Sequence, residues 1–156
     1  MPTRQANRCR ARGATLLELL IALVIVSVLA TLAVAAYRRY ALQANRTDAR
    51  AALLALAAAQ EKHYLTCNEY AASLDDTRPS GCSPATLNFP ARSERGLYTL
   101  TMTAADAIAW TATAVVADGS PQSADSRCRV LQLDSTGLRT ATAVDGTATG
   151  ANCWTR

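Results

Sequence analysis

From Leu16 to Ala36 the chain runs through twenty-one residues of which only Glu18, Ser27 and Thr31 are polar. As a helix rising about 1.5 Å per residue, this run reaches roughly 30 Å, the thickness of a bilayer's hydrocarbon core. A helix that is apolar all round needs lipid, or other helices like it, to cover every face. Glu18 is the anomaly in the run. A carboxylate in hydrocarbon costs on the order of 2.5 to 3.5 kcal/mol even on lenient insertion scales, so a cationic partner is implied.

Arg4, Arg8, Arg10 and Arg12 precede the run, and a single glycine, Gly13, joins them to it. An ordinary secretory signal accounts for the same residues as a charged region, a long apolar region and a small-residue cleavage site at Ala33-Val-Ala35. An uncleaved membrane anchor is a further reading. Cys9 precedes the apolar run and so is not a lipoprotein cysteine.

The 156 residues suit one compact domain and an anchor. The formal charge of +4 resides in the four leading arginines, and a chain starting at Ala14 carries 12 basic and 12 acidic side chains. Net charge therefore gives no argument for nucleic acid, which is not expected as a partner. Arginines flank the apolar run on both sides, so charge does not orient it. Cys67, Cys82, Cys128 and Cys153 form an even set in a head of modest size, which places that head in an oxidising compartment, the bacterial periplasm or cell exterior.

From Tyr37 to Leu65 there is no glycine or proline, and Ala49, Leu53, Leu56, Gln60 and Tyr64 recur at steps of three or four. That spacing predicts one helix from Ala14 to Leu65, with a face for a head domain on its second half. Residues 66–95 are loop-rich, punctuated by Pro79, Gly81, Pro84 and Pro90. A Cys67 to Cys82 disulfide would tie the helix end to this loop, but four cysteines allow three connectivities. Strand signals follow. Leu97–Thr103 alternates Tyr98, Leu100 and Met102 with threonine, and Ala107–Val116 places Ile108, Trp110, Ala112 and Ala114 on one face, with Ala104–Asp106 as the turn. Cys128–Leu133 and a short Leu138–Ala141 complete an antiparallel sheet of about four strands, with Asp134-Ser-Thr-Gly137 as the hairpin between them. The fold class is α+β, a long N-terminal helix packed on a small antiparallel sheet.

Gly13, the apolar run and Glu18 as the fifth residue after the glycine resemble the class III signal of type IV pilins and type II secretion pseudopilins. The resemblance implies a prepilin peptidase that cuts after Gly13 and methylates the new amine on Ala14. Glu18 would then neutralise the Ala14 amine of a neighbouring subunit during assembly. Ala14 stands where the family usually has phenylalanine, Ser27 where glycine is common, and Ala35 where a helix-bending proline is frequent. Arg46-Thr-Asp-Ala49, Gln60-Glu61, the series Gln122, Asp125, Cys128, then Leu133-Asp134 with Gly137, and the terminal Cys153-Trp154 resemble the PilE-type minor pilins. That resemblance implies a Cys128–Cys153 disulfide pinning the C-terminal region, leaving Cys67 to Cys82.

The implied organisation is a leader at 1–13, a membrane and filament-core helix at 14–36, its amphipathic continuation at 37–65 and a pilin head at 66–156. The implied function is that of a minor pilin, held in the inner membrane with its head in the periplasm and then moved into an extracellular filament serving adhesion and twitching motility. Its partners would be other pilin subunits, the prepilin peptidase and, before assembly, the membrane. Two alternatives are a pseudopilin of type II secretion and a pilin-like receptor binding DNA or a surface at the filament tip, through arginines among Arg92, Arg95, Arg127, Arg129, Arg139 and Arg156. No catalytic, metal or cofactor site is expected: His63 is the sole histidine, and no nucleophile elbow, phosphate loop or zinc-protease motif occurs. Trp110 reads as core, and Trp154 as a packing anchor or a filament contact.

Overall fold

The computed structural model describes residues 15–75, 77, 79–83 and 85–155. The chain divides into two units after Arg39, and one helix, α1 (Leu16–Cys67), contributes to both. In the first unit every described residue is exposed, and this part of α1 is long and apolar enough to cross a membrane. The helix runs through Ala35 without interruption, as expected where no proline removes a backbone donor. Its predicted start at Ala14 lies outside the described residues, and it ends two residues beyond Leu65.

The second unit, from Tyr40 onward, is an α+β head. Four strands, labelled β4 (Tyr98–Ala105), β5 (Trp110–Val116), β6 (Val130–Asp134) and β7 (Arg139–Thr142), form an antiparallel meander in that order. Three short ones precede them, β1 (Ser73–Leu74), β2 (Gly81–Cys82) and β3 (Ala85–Leu87), in a small sheet of order β1-β3-β2. A 3-10 turn spans Pro121–Ala124, and a short helix α2 covers Gly150–Trp154.

Period-two alternation builds the core. Tyr98, Leu100, Ala112, Ala114, Val116, Leu131, Leu133 and Ala141 face inward and meet Ala49, Leu53 and Leu56 of α1. Alanines in the central strand β5 leave space that the leucines and Tyr98 fill, so one helix face closes the layer. Trp110 is buried in this core. Both sheet edges are partly covered, β4 by Arg92 bridged to Thr99 and β7 by Ala148 bridged to Thr142, which limits unwanted strand addition.

Several expectations need correction. Ile108 is not on the inner face but 79% exposed in the β4–β5 turn. Asp106 is the cause: its Oδ1 accepts the N–H groups of Ile108 at 2.8 Å and Ala109 at 2.7 Å, and such local bonds compete with the ladder. β4 continues to Ala105 through a register shift between Met102 and Ala104, so the turn falls later than Ala104–Asp106. Leu138 lies in the next hairpin turn rather than in β7, and it too is exposed. The third strand begins at Val130, not Cys128. On α1 the buried position after Gln60 is His63, while Tyr64 is half-buried. Residues 66–95, expected as loop, hold the small sheet.

Two disulfides close the head, Cys67–Cys82 with Cα atoms 5.4 Å apart and Cys128–Cys153 at 5.7 Å. Serine at both Cys67 and Cys82 is expected to lower stability by about 3 kcal/mol, the chain-entropy value for a loop of fifteen residues. Urea unfolding of the variant against the parent, both oxidised, checks this.

The Asp134–Gly137 hairpin turn is held by its own side chain. Asp134 Oδ1 accepts from Thr136 N at 2.9 Å, Thr136 Oγ1 at 2.6 Å and Leu138 N at 3.0 Å. The Thr136 side chain, then the turn's backbone N–H groups, hold this carboxyl below its ordinary range. Gly137 has φ +82°, a region that costs residues with a Cβ. Gly137→Ala is expected to cost about 1 kcal/mol, read as a lowered thermal midpoint.

Candidate functional site

The N-terminal site is built on the first turn of α1. Thr15 precedes the helix and its Oγ1 accepts the backbone N–H of Glu18 at 3.2 Å, so Thr15-Leu-Leu-Glu18 has the spacing of a capping box. The box is half made. The Glu18 N–H is satisfied, but among the described residues the Glu18 carboxylate has no partner. Ser27 and Thr31 differ from it, because each hydroxyl donates to the carbonyl three residues back, Val24 at 2.8 Å and Val28 at 2.7 Å. They satisfy themselves within an apolar helix, which the Glu18 carboxylate does not do. Its place in the first turn lets the helix dipole offset part of its cost. Gly13 and Ala14, the expected cleavage and methylation positions, lie outside the described residues.

The second site lies within the head and sequence reasoning did not assemble it. Arg46 on α1 donates Nε to Asp125 Oδ2 at 2.7 Å and Nη2 to Asp125 Oδ1 at 3.0 Å, a bidentate pair with side chains 12% and 3% exposed. Gln122, one turn before Asp125, is fully buried, and its Nε2 donates to Leu42 O at 3.1 Å and Asp125 Oδ2 at 2.9 Å. Asp125 also accepts the N–H groups of Arg127 and Cys128. One helical turn after Arg46, Arg50 donates Nε to Cys153 O at 2.9 Å and Nη2 to Thr155 O at 2.8 Å. Burial, then the neighbouring Arg46, lowers the Arg50 pKa, opposed by Tyr98. Beneath the cluster the Tyr98 hydroxyl is kept neutral: burial raises its pKa, and the Asp125 carboxylate adds to the effect.

These contacts give the family-like pattern residues a physical task. Arg46 and Asp125 join helix to loop, Asp48 Oδ1 accepts Arg95 N at 3.2 Å, and Ala49 is core. Gln60 is buried and pairs both ways with the Ala71 backbone, at 2.8 and 2.9 Å. Cys128 and Cys153 lock the loop to the tail that Arg50 grips. Trp154 is half-buried, with Nε1 donating to Thr140 O at 2.7 Å and Arg139 Cζ 5.5 Å from its ring centroid. The set fastens helix, loop and tail of the head together.

The arginines named for DNA contact separate into two groups. Arg95 Nη1 is bonded to Asn45 Oδ1 at 2.9 Å and Arg139 lies over Trp154. Arg92 and Arg127 are exposed and Arg129 half-exposed, with no side-chain bond among the described residues. Arg92 bridges Thr99 while Arg129 O accepts Val116 N, so these two flank the same end of the sheet. Arg156 lies outside the described residues.

Comparison with known families adds two matches. Residues 35–132 match the model of the type IV minor pilin ComP, DNA uptake sequence receptor, and residues 8–34 match the prokaryotic N-terminal methylation motif. Among solved structures, a type IV pilin from Shewanella oneidensis is 28% identical over 74% of this chain and 99% of its own, with a TM-score of 0.40. No curated protein matches.

Proposed function

The chain belongs to the type IV minor pilin family, and we propose that it works by assembly, as a subunit cut after Gly13 and N-methylated on Ala14 by a prepilin peptidase. Residues 1–13 are then the leader, 14–36 the membrane and filament-core segment, 37–65 its continuation and 66–156 the head. The observation that carries this reading is the Glu18 carboxylate, which has no partner among the described residues and sits on an exposed apolar helix where Ser27 and Thr31 bond to their own backbone. The Ala14 amine of a neighbouring subunit supplies the missing cation and sets register in an otherwise non-directional bundle. Before assembly the head lies in the periplasm and lipid covers the apolar segment. Afterwards neighbouring helices cover the same surface in the extracellular filament. Adhesion and twitching motility follow through the filament, without enzymatic chemistry by this chain.

Mass spectrometry of the cell-derived protein tests the reading, with a chain beginning at N-methylated Ala14 as the expected result. A start at Ala36 or at Met1 overturns it, since neither places an amine beside Glu18.

A second reading is supported by the family description, which is of a DNA uptake sequence receptor, and by the unengaged Arg92, Arg127 and Arg129. If each neutralises one phosphate, affinity of the full chain for duplex DNA falls roughly 40-fold between 50 and 200 mM salt. Alanine at all three positions is expected to abolish that salt-dependent part. Binding unchanged by the triple substitution, measured by fluorescence anisotropy, removes these arginines from the interface.

A further inference from the structure

The two disulfides of the head differ in access. Cys128 and Cys153 are both fully buried. Cys153 belongs to α2, which is fastened down on either side of the bond: its carbonyl accepts Arg50 Nε at 2.9 Å, and the next residue, Trp154, donates Nε1 to Thr140 O at 2.7 Å. A reagent reaches that bond only after these contacts open, in a local unfolding event. The other disulfide is placed differently. Cys82 is exposed on β2, and Cys67 is half-buried at the last position of α1. Both residues line an open cavity of about 290 Å³, so a reagent can approach this bond from solvent with the head intact.

The accessible bond also holds the least supported part of the fold. β2 is two residues long, and its pairing with β3 covers Gly81↔Thr86 and Cys82↔Ala85. Strands of that length do not stand by themselves. At the other end of the connecting segment, Ala71 is fixed to α1 through both bonds of its pairing with Gln60, at 2.8 and 2.9 Å. Cutting Cys67–Cys82 therefore leaves Ala71 docked and detaches β2 from the end of the helix. The change stays within the small sheet, because the meander β4–β7 packs on α1 through its own core and keeps the buried disulfide.

We propose that Cys82 is a thiol–disulfide exchange site, at which a small external thiol opens the Cys67–Cys82 bond and frees β2 from α1 while Cys128–Cys153 stays closed. The attacking thiolate forms a bond to Cys82 Sγ. The bond to Cys67 breaks with its electron pair on Cys67 Sγ, which takes up a proton from water. A second thiolate then attacks the sulfur of the first and displaces Cys82 as a thiolate. Two external thiols are thus oxidised to one disulfide while the cystine is reduced to two thiols. The head has two settings, with the small sheet tethered or free, and the thiol balance of its surroundings selects between them. The exchange does not depend on the subunit's part in a filament.

The full chain, with Cys9 alkylated beforehand and held in detergent micelles, is treated with dithiothreitol, quenched with acid at intervals, alkylated and read by peptide mass spectrometry. Cys67–Cys82 is expected to open at least roughly a hundredfold faster than Cys128–Cys153 in the folded protein, and the two rates to converge in guanidinium, where burial no longer separates them. With glutathione as the thiol, the early mixed disulfide is expected on Cys82 and the alkyl label on Cys67. Hydrogen exchange of the selectively reduced protein is expected to rise in β2 and β3 and to keep its parental level in β4–β7. The proposal is overturned by equal opening rates in the folded protein, by glutathione found mainly on Cys67, or by exchange in β2 and β3 that is unchanged on opening.

Discussion

Asp125→Ala is expected to lower the stability of the head by about 3 to 5 kcal/mol, the range for removing one member of a buried ion pair and stranding the other. The size follows from how many groups share this carboxylate. Arg46 donates to both oxygens, Gln122 to one, and the Arg127 and Cys128 N–H groups to the remainder. Removing it leaves a guanidinium only 12% exposed and a fully buried amide short of an acceptor. Pairing Asp125→Leu with Arg46→Met should recover much of the loss, since two apolar groups leave no charge stranded. Denaturant unfolding of the four proteins of this cycle gives the coupling. A single-variant cost below about 1 kcal/mol would show that water reaches the pair and screens it.

Glu18→Leu is expected to lower incorporation into filaments at least about a hundredfold while leaving membrane accumulation equal or higher. Two unit charges 4 Å apart at an effective dielectric near 20 interact by about 4 kcal/mol, and every factor of ten in an equilibrium takes about 1.4 kcal/mol. Membrane insertion moves in the opposite direction, because leucine is favoured where a carboxylate is not. The two readouts therefore separate assembly from folding or targeting. Thr15→Val supplies the contrast: it removes the capping acceptor for Glu18 N and should cost about 1 kcal/mol of local helix stability without touching the carboxylate. Filaments that take up Glu18→Leu at the parental level would reduce Glu18 to a first-turn charge beside the helix dipole.

The sequence made the long helix and the sheet legible wherever a period repeats. Tyr98, Leu100 and Met102 alternate with threonines long enough to declare a strand, and Ala49, Leu53, Leu56 and Gln60 declare one helix face. Ile108 misled because the alternation continues through it, while the decisive bond, Asp106 to the two following N–H groups, is a side-chain effect that apolar spacing does not register. Strands of two or three residues, such as Ser73–Leu74 and Gly81–Cys82, have no alternation to read. The Arg46–Asp125 pair is separated by 79 positions. Both residues belong to the patterns that resemble the PilE-type minor pilins, but no local rule connects them. The capping box at Thr15 is itself a spacing signal, Thr-x-x-Glu, but within an apolar run the same glutamate also signals a buried charge. The difference in exposure between Cys82 and the buried Cys128 and Cys153 could be found only in three dimensions.

The grip of Arg46 and Arg50 on residues 125, 152, 153 and 155 also decides how the head carries a mechanical load. A pull arriving along α1 at Tyr40 meets both arginines within about three helical turns. They divide it between the β5–β6 connection and the tail, and the Cys128–Cys153 bond ties those two branches together. β7 packs against α2, which carries Cys153, so part of a load taken by the tail reaches that strand. A head pulled by its helix is thus loaded at two places joined by a disulfide, and neither can part from α1 without the other taking up the load.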